Sequence, residues 1–256
     1  MAAAVYGERV LEKGMKGPDV AELQLRLGGF RGTLLDGDFG PGTELQVKVF
    51  QKDYMKLADP SSIVDGATFR AIDDLAKRFP VNFAQLKCPC GQCGGFGQGR
   101  FKGRYMPGGE GQEKSNRYEY PGIHRLILWA TRAIQFYLPE HKFTFTSGYR
   151  CSIDNQMHNR QTTNHHGKAV DLDVPRLAGE GDRDDMVRCN AIRGRLVELA
   201  NAQVGWNGRN RKSLEPDTDA PTWVHYDVRA YDAEFLRDEY FCTDSAGLDK
   251  PLPIKV

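Results

Sequence analysis

This chain lacks the features that mark membrane proteins and nucleic-acid-binding proteins. Its 256 residues contain 35 basic and 34 acidic side chains, so the formal net charge is only +1. Without an excess of positive charge, the chain has no general attraction for nucleic acid or for an anionic membrane surface. No apolar stretch approaches the roughly 20 residues that a membrane-spanning helix needs. The composition therefore predicts a globular protein with one large domain or two modest ones.

A secretory signal and a disulfide scaffold are also missing from the sequence. The first residues, MAAAVYGERVLEKG, contain no basic region followed by an apolar block, which predicts that the chain has no signal peptide. Six cysteines in a chain of this size do not indicate a disulfide-rich protein. Three of them nevertheless lie close together in CPCGQC, at Cys88, Cys90 and Cys93. That cluster requires an explanation of its own.

The first 80 residues follow a helical pattern. Apolar residues recur at helical spacing in GPDVAELQLRL, GPGTELQVKVFQKDY and DGATFRAIDDLAKRF, which predicts three helices. In the second of these, Leu45, Val49 and Phe50 are expected to face inward. The order LEKGMKGPDVAELQLRL…DGDFGPGTELQVKVFQ…VDGATFRAI resembles the peptidoglycan-binding domain, a three-helix module that is fused to many cell-wall hydrolases. The resemblance covers residues 9–79 and implies that peptidoglycan is a partner; a generic helical bundle is the alternative.

The rest of the chain mixes helices and strands after a glycine-rich stretch at residues 80–121. A stretch this long without regular structure is usually functional or disordered. The segments KFTFTSGYR, KAVDLDV and TWVHYDV read as strands, whereas GIHRLILWATRAIQFYL and DDMVRCNAIRGRLVELANAQV have helical periodicity. Interspersed helices and strands with short joins predict an α+β domain. We therefore expect one domain at residues 1–80 and a second at residues 81–256.

Two of the predicted strands carry acids and a histidine on the face away from the core. Because side chains alternate between the faces of a strand, Asp171 and Asp173 share one face of KAVDLDV, and His225 and Asp227 share one face of TWVHYDV. If these strands are neighbours, imidazole and carboxylate groups converge. Such a set suits zinc, which binds both groups at about 2.0–2.2 Å and keeps a position for water when the protein supplies three ligands. A solvated strand face with incidental histidines is the alternative.

The motifs of this second part resemble a family of zinc peptidases. The order FTFTSGYRCSIDN…TTNHHGKAVDLDV…SLEPDTDAPTWVHYDVR is similar to the family of D-alanyl-D-alanine carboxypeptidases, vancomycin-resistance dipeptidases and phage L-alanyl-D-glutamate endolysins. The hedgehog signalling domain shares their fold. The resemblance covers residues 83–235. It implies that Asp171, in G-K-A-V-D, and His225, in W-V-H, bind a catalytic zinc ion.

The first zinc-binding histidine is ambiguous. The family pattern H-x-x-G-x-A-x-D would place it at Asn164, whose side chain cannot serve in the same way. We expect His165, one residue closer to the glycine, to be the ligand. His166 is the alternative, and it would pair more naturally with Asp173. The spare histidine is expected to have a structural role rather than to bind a second metal.

The same resemblance implies further catalytic residues. An arginine near the position of Arg150, at the end of SGYR, steadies the substrate or the developing oxyanion in the family, a role that suits a fixed guanidinium. A structural salt bridge is its alternative role. The general base of the family precedes the zinc-binding histidine, which leaves Glu215 and Asp219. Glu215 is the expected base because Leu214 can anchor its segment and Pro216 can stiffen it, whereas Asp219 lies in a polar turn.

The clustered cysteines have two interpretations. Similar family members carry cysteines both at the CPCGQC position and directly after SGYR, where this chain has Cys151. Four thiolates from Cys88, Cys90, Cys93 and Cys151 can hold a structural zinc ion. Two disulfides are the alternative, and they are favoured if the protein matures outside the cytoplasm. The Cys-x-Cys spacing is short for an ordinary zinc knuckle.

Taken together, the motifs predict a modular peptidoglycan hydrolase of the α+β class. A small all-α three-helix domain is expected to precede an α+β zinc peptidase domain with a mainly antiparallel sheet, which cuts an amide bond in the peptide stem or cross-link of the wall. The missing signal suits a monomeric phage endolysin, made in the cytoplasm of the host bacterium and acting on the wall after release. The alternatives are a non-catalytic wall binder with the zinc fold and a glycan-cutting lysozyme. A lysozyme needs paired acids across a cleft, and the sequence shows no acid pair as well defined as the His/Asp/His set.

Overall fold

A helical unit is followed by an α+β unit in the computed structural model, which describes residues 5–97, 118–176, 178–205 and 208–251. Much of the glycine-rich stretch expected at residues 80–121 lies outside the described residues. The helical unit contains α1 (Pro18–Arg26), α2 (Pro41–Asp53) and α3 (Gly66–Arg78). The prediction of three helices in this region is therefore confirmed.

Local sequence explains where these helices begin. Pro18 and Pro41 are the first residues of α1 and α2, a position where the missing N–H costs nothing because it has no intrahelical acceptor. At the start of α3, the side chain of Asp65 accepts a hydrogen bond of 2.9 Å from the backbone N–H of Thr68. Each helix therefore has a start signal that the sequence alone carries.

The buried face of α2 differs from the expected one. Phe50 is fully buried as predicted, but Leu45 is 52% exposed, so its predicted inward position is wrong. Gln46 and Gln51 are buried instead. Their amide groups donate hydrogen bonds to the backbone carbonyls of Gln24 (2.9 Å) and Ile63 (2.8 Å), which compensates for the loss of water. The pattern of apolar residues alone does not predict polar side chains that are buried because their hydrogen bonds are made within the protein.

The α+β unit is built on a five-stranded sheet in the order β2–β3–β6–β5–β4, in which only the β4–β5 pair is parallel. The α+β class and the mainly antiparallel sheet are thus confirmed. Short 3-10 turns lie at Ala233–Phe235 and Asp238–Tyr240, and β1 and β7 form a separate two-stranded pair. The other elements are β1 (Ile123–His124), α4 (Arg125–Tyr137), β2 (Thr144–Ser147), α5 (Ser152–Met157), β3 (Ala169–Asp173), α6 (Asp182–Ala200), β4 (Ala202–Val204), β5 (Lys212–Leu214), β6 (Val224–Asp227), β7 (Phe241–Cys242) and α7 (Ser245–Asp249).

The register of β3 and β6 decides which side chains meet. The two strands are antiparallel neighbours, and Asp171 lies directly opposite His225. Alternation along each strand sends Leu172 and Tyr226 into the core, where both are fully buried. The condition that the sequence left open, that these two strands are adjacent, is therefore met.

The helical unit packs on α4 across the predicted boundary at residue 80. At Gly29 a Cβ atom would lie 2.3 Å from the Cβ of Ala133, so only glycine permits this close approach. The fully buried Arg125 of α4 donates hydrogen bonds of 2.9 and 2.7 Å to the carboxylate of Glu22 in α1. One continuous apolar core runs through both units. The division into domains at 1–80 and 81–256 stays a prediction.

Membrane insertion has no candidate segment in the part of the chain that the structure describes. None of its helices combines the length and the apolar character that crossing a bilayer demands.

Candidate metal centre

Three of the predicted metal ligands lie together on one face of the β3–β6 pair. His165, in the turn before β3, joins Asp171 of β3 and His225 of β6, and one potential ligand atom of each lies within 4.8 Å of the others. The Asp171 Oδ1 atom is 2.8 Å from His225 Nδ1 and 3.5 Å from His165 Nε2. All three residues are buried. The arrangement thus brings two imidazole nitrogens to a single carboxylate oxygen.

The ring nitrogens that face away from this point are held by other groups. His165 Nδ1 lies 2.7 Å from the carbonyl oxygen of Gly148, so that nitrogen carries the proton and Nε2 keeps its lone pair for the centre. His225 Nε2 lies 2.9 Å from Asp227 Oδ2, on the fully buried carboxylate two residues along the strand. Metal-binding histidines are commonly oriented in this way by a carbonyl or a carboxylate. The donor set and its orientation therefore fit zinc.

The charges at the centre are strongly coupled. Burial by itself lowers the pKa of His225, but its hydrogen bonds with Asp171 and Asp227 outweigh burial and raise that pKa to about 9. Burial raises the pKa of Asp171, whereas the adjacent His165 and His225 hold it well below its usual range. Burial lowers the pKa of His165 despite the neighbouring Asp171. The contact between Asp171 Oδ1 and His225 Nδ1 thus lies where a metal cation would bind the same two atoms.

His166, the alternative ligand, lies apart from this centre. Its Nε2 is 3.3 Å from the side-chain amide of Asn155, and its buried Nδ1 has no hydrogen-bond partner among the described residues. Burial lowers its pKa to about 4. Asp173, its expected companion, is grouped with Asp185 and Cys189 instead. The structure therefore brings His165 rather than His166 to Asp171 and His225.

The centre opens into a cavity of about 590 Å³. Besides the three candidate ligands, its walls include Arg150, Glu215 and Arg229. Because the cavity is continuous with the three ligand atoms, a substrate bound there would lie against the centre. This is the concave geometry expected of a small-molecule or peptide site.

Arg150 forms a salt bridge with Asp171 and also lines the cavity. Its Nη2 donates a hydrogen bond of 2.7 Å to Asp171 Oδ2, the oxygen that faces away from the histidines, and its Nε donates to Ser147 Oγ at 2.7 Å. The guanidinium is thereby fixed while it also forms part of the cavity wall. The salt bridge of Arg150 with Asp171 is thus present, whereas a contact of Arg150 with substrate stays a prediction.

The two candidate bases occupy different environments. Glu215 follows β5 directly and forms part of the cavity wall. The backbone carbonyl of Glu215 accepts a hydrogen bond of 3.2 Å from Arg193, which fixes this part of the chain. Asp219 is exposed, is 3.3 Å from the hydroxyl of Thr218, and does not belong to the described cavity lining. The structure thus places Glu215, and not Asp219, within the cavity.

Sequence reasoning missed Arg229. This side chain donates a hydrogen bond of 2.6 Å to Asp227 Oδ2 and lies 2.7 Å from His225 Nε2 and 3.9 Å from Glu215 Oε1. The sequence carries only a weak signal for it, because Arg229 stands two residues after Asp227, in the turn that follows the end of β6. Arg229 connects the candidate base with the residues that orient a candidate ligand.

Comparison with known proteins finds a family match for part of the helical unit. Residues 16–72 match the family described as "Putative peptidoglycan binding domain". That range includes α1 and α2 and about half of α3. It coincides with the region in which the sequence order resembles such a module.

A second comparison concerns an enzyme. The chain is 40% identical over 79 residues to the zinc D-Ala-D-Ala carboxypeptidase of Streptomyces albus G, which represents 28% of this chain and 30% of that protein. The chain thus covers less than a third of the length of this relative. The similarity is local, and the activity of the relative is not carried over by it.

Proposed function

We propose that this protein is a zinc-dependent peptidase that acts on bacterial peptidoglycan. The observation that carries the proposal is the convergence of His165 Nε2, Asp171 Oδ1 and His225 Nδ1 at one end of a cavity. The match of residues 16–72 to a peptidoglycan-binding family and the local similarity to a zinc D-Ala-D-Ala carboxypeptidase support the same class of substrate. In this proposal the N-terminal helices hold the wall while the cavity receives its peptide.

The proposed reaction adds water across an amide bond of the peptide stem or cross-link. A zinc ion bound by His165, Asp171 and His225 would supply a Lewis acid and a water of lowered pKa. Glu215 accepts the proton of the attacking water and passes it to the leaving nitrogen, which yields a carboxylate and a free amine. Arg150, fixed in the cavity wall, would stabilise the negative charge that develops on the scissile carbonyl oxygen.

An endolysin role in a phage is the finer form of this proposal. It rests on the similarity of the motifs around Arg150, Asp171 and His225 to those of phage endopeptidases. In that role the monomeric protein is made in the host cytoplasm and reaches the wall after release. Its production in a bacterial host together with a membrane-permeabilising protein should lyse the cells, and production of either protein alone should not.

Digestion of purified sacculi tests the proposed activity. We expect new amino groups without new reducing sugar ends, and mass spectrometry of the soluble muropeptides should identify the amide that is cut. The matched control is His225→Ala, which should bind sacculi and release nothing. Reducing ends without amino groups would indicate a glycan-cutting enzyme. The zinc-loaded wild-type protein could also bind sacculi and release neither group. That result would indicate a non-catalytic wall binder.

A further inference from the structure

Four cysteines from two distant parts of the chain meet outside the candidate catalytic centre. Cys88, Cys90 and Cys93 belong to the loop after α3, and Cys151 directly precedes α5. Their four sulfur atoms all lie within 4.8 Å of one another. Cys88, Cys90 and Cys151 are buried, with at most 8% of each residue exposed. The fold has therefore collected four thiols at one point, although more than fifty residues separate Cys93 from Cys151.

Every sulfur of this cluster accepts at least one backbone N–H group. Cys90 Sγ accepts from Gln92 (3.4 Å) and from Cys93 (3.3 Å). The three other bonds are from Gly95 to Cys93 Sγ (3.4 Å), from Cys151 to Cys88 Sγ (3.4 Å) and from Asp154 to Cys151 Sγ (3.5 Å). Neutral thiols and disulfide sulfurs are weak acceptors, whereas thiolates are strong ones. Each sulfur thus has a backbone donor of the kind that stabilises a metal-bound thiolate.

Two glycines make this pattern possible. Gly91 has φ +68° and Gly95 has φ +97°, both in the left-handed region that favours glycine. These turns reverse the chain after Cys90 and after Cys93, so that the following N–H groups point back at the sulfurs. The Cys88 N–H closes the loop with a hydrogen bond of 2.7 Å to the carbonyl of Gly95. Gly91 and Gly95 of CPCGQCGG therefore stand at the positions where this loop needs a positive φ angle.

The sulfur separations suit a metal ion better than disulfides. The sulfurs of Cys90 and Cys151 are 3.6 Å apart. Zinc–thiolate bonds of about 2.3 Å in a tetrahedron place the sulfurs about 3.8 Å from one another. A disulfide requires about 2.05 Å and would join the sulfurs only in pairs. Four sulfurs at one point, each with a backbone donor, match the tetrahedral zinc site rather than two disulfides.

We propose that Cys88, Cys90, Cys93 and Cys151 bind a structural zinc ion as four thiolates, at a site separate from the candidate catalytic centre. The ion joins the loop after α3 to the segment at 147–151. That segment carries the Gly148 carbonyl, which orients His165, and the Arg150 guanidinium, which holds Asp171. The Arg150 N–H also donates to the carbonyl of His165 at 2.8 Å. The structural ion thus positions one wall of the candidate catalytic centre, and its presence does not depend on the proposed activity.

Metal analysis of the full-length protein, purified without added chelator, tests the site. Titration of the wild type with an organomercurial, followed with a zinc indicator, should release one zinc ion per chain as the clustered thiols react. Replacement of zinc by cobalt should add a thiolate-to-cobalt charge-transfer band in the near ultraviolet. Cys90→Ser should lose that band and one zinc ion. Cys242→Ser, a matched change at a buried cysteine elsewhere, should keep both.

These measurements separate the two proposed metal sites. His225→Ala should lose a different zinc ion and keep the cobalt–thiolate band, so failure of the catalytic proposal leaves this test intact. Should Cys90→Ser not fold, the mercurial titration of the wild type still decides the question. The proposal is overturned if thiol titration of the denatured wild type finds the four cysteines paired as disulfides, or if the mercurial releases no zinc from a protein whose thiols are free.

Discussion

Two buried carboxylates, Glu22 and Asp171, show how differently this protein uses a negative charge. Glu22 accepts a hydrogen bond of 2.7 Å from Arg26 and bonds of 2.7 and 2.9 Å from Arg125, and all three side chains are at most 1% exposed. Asp171 is also buried, yet two of its partners are the imidazoles of His165 and His225, and it lines a cavity. We call the Glu22 cluster the sealed cluster, because its side chains are shut off from solvent, and the Asp171 cluster the open cluster, because it lines a cavity.

The nature of the partners decides what each cluster can do. The guanidinium groups around Glu22 stay charged at every accessible pH, so the charge of that cluster is already compensated by permanent cations. The imidazoles around Asp171 can offer nitrogen lone pairs to a metal ion, and the cavity gives such an ion access. The first cluster therefore joins α1 to α4, whereas the second is suited to bind a cation and to do chemistry.

The largest effect is expected from breaking the open cluster. His165→Ala should abolish hydrolysis of sacculi and remove the zinc ion of this centre, because one of the three protein ligands is lost. His166→Ala is the matched control and should keep zinc and most of the activity. Zinc content and release of amino groups from sacculi measure both variants. Full zinc occupancy and activity in His165→Ala, with loss of both in His166→Ala, would reverse the assignment of the ligand.

The next effect concerns the acid that lines the cavity beside the open cluster. Glu215→Gln should keep the fold and the zinc but lower turnover by about two to four orders of magnitude, the usual loss when general acid–base help is removed. Asp219→Asn should be much milder, since Asp219 is exposed and outside the described cavity lining. Turnover on soluble muropeptides compares the two variants. Near-normal turnover in Glu215→Gln beside an inactive Asp219→Asn would transfer the role to Asp219.

Breaking the sealed cluster should affect stability rather than chemistry. Glu22→Gln leaves Arg26 and Arg125 buried without their carboxylate, which should lower the free energy of unfolding by about 3–5 kcal/mol. The control is Glu44→Gln, whose partly exposed ion pair with Lys48 should contribute little to stability. Chemical denaturation of the zinc-loaded proteins measures the difference. Equal stability of the two variants would contradict the expectation that the buried pairs of Glu22 stabilise the fold more than the partly exposed pair of Glu44.

The smallest effect is expected on the zinc affinity of the open cluster. Asp227→Asn weakens the hydrogen bond that orients His225 Nε2 without removing a ligand, so zinc affinity should fall by about 10- to 100-fold. Asp232→Asn, which removes a charge paired with Arg209 at the surface, should leave the affinity unchanged. Competition with a chromophoric chelator gives both affinities. An unaltered affinity in Asp227→Asn would show that Asp227 serves Arg229 rather than the histidine.

Local periodicity by itself determined much of this protein. Three helices before residue 80, the α+β class and the alternation along KAVDLDV and TWVHYDV all follow from patterns within a few residues. The shared polar faces that hold Asp171 and His225 follow in the same way, because a strand sends every second side chain to one face. Backbone geometry acts over such short distances, so the sequence alone carries this information.

Only the tertiary structure distinguished among residues that the local pattern treats alike. His165 and His166 are adjacent, and the path of the turn before β3 decides which imidazole reaches Asp171. Glu215 and Asp219 both precede β6, but only the fold shows which of them lies in the cavity. The buried Gln46 and Gln51, the contact of Glu22 with Arg125 and the meeting of Cys151 with the CPCGQC loop depend on segments far apart in the chain. Such contacts form only when the whole core is assembled, because no local interaction brings these partners together.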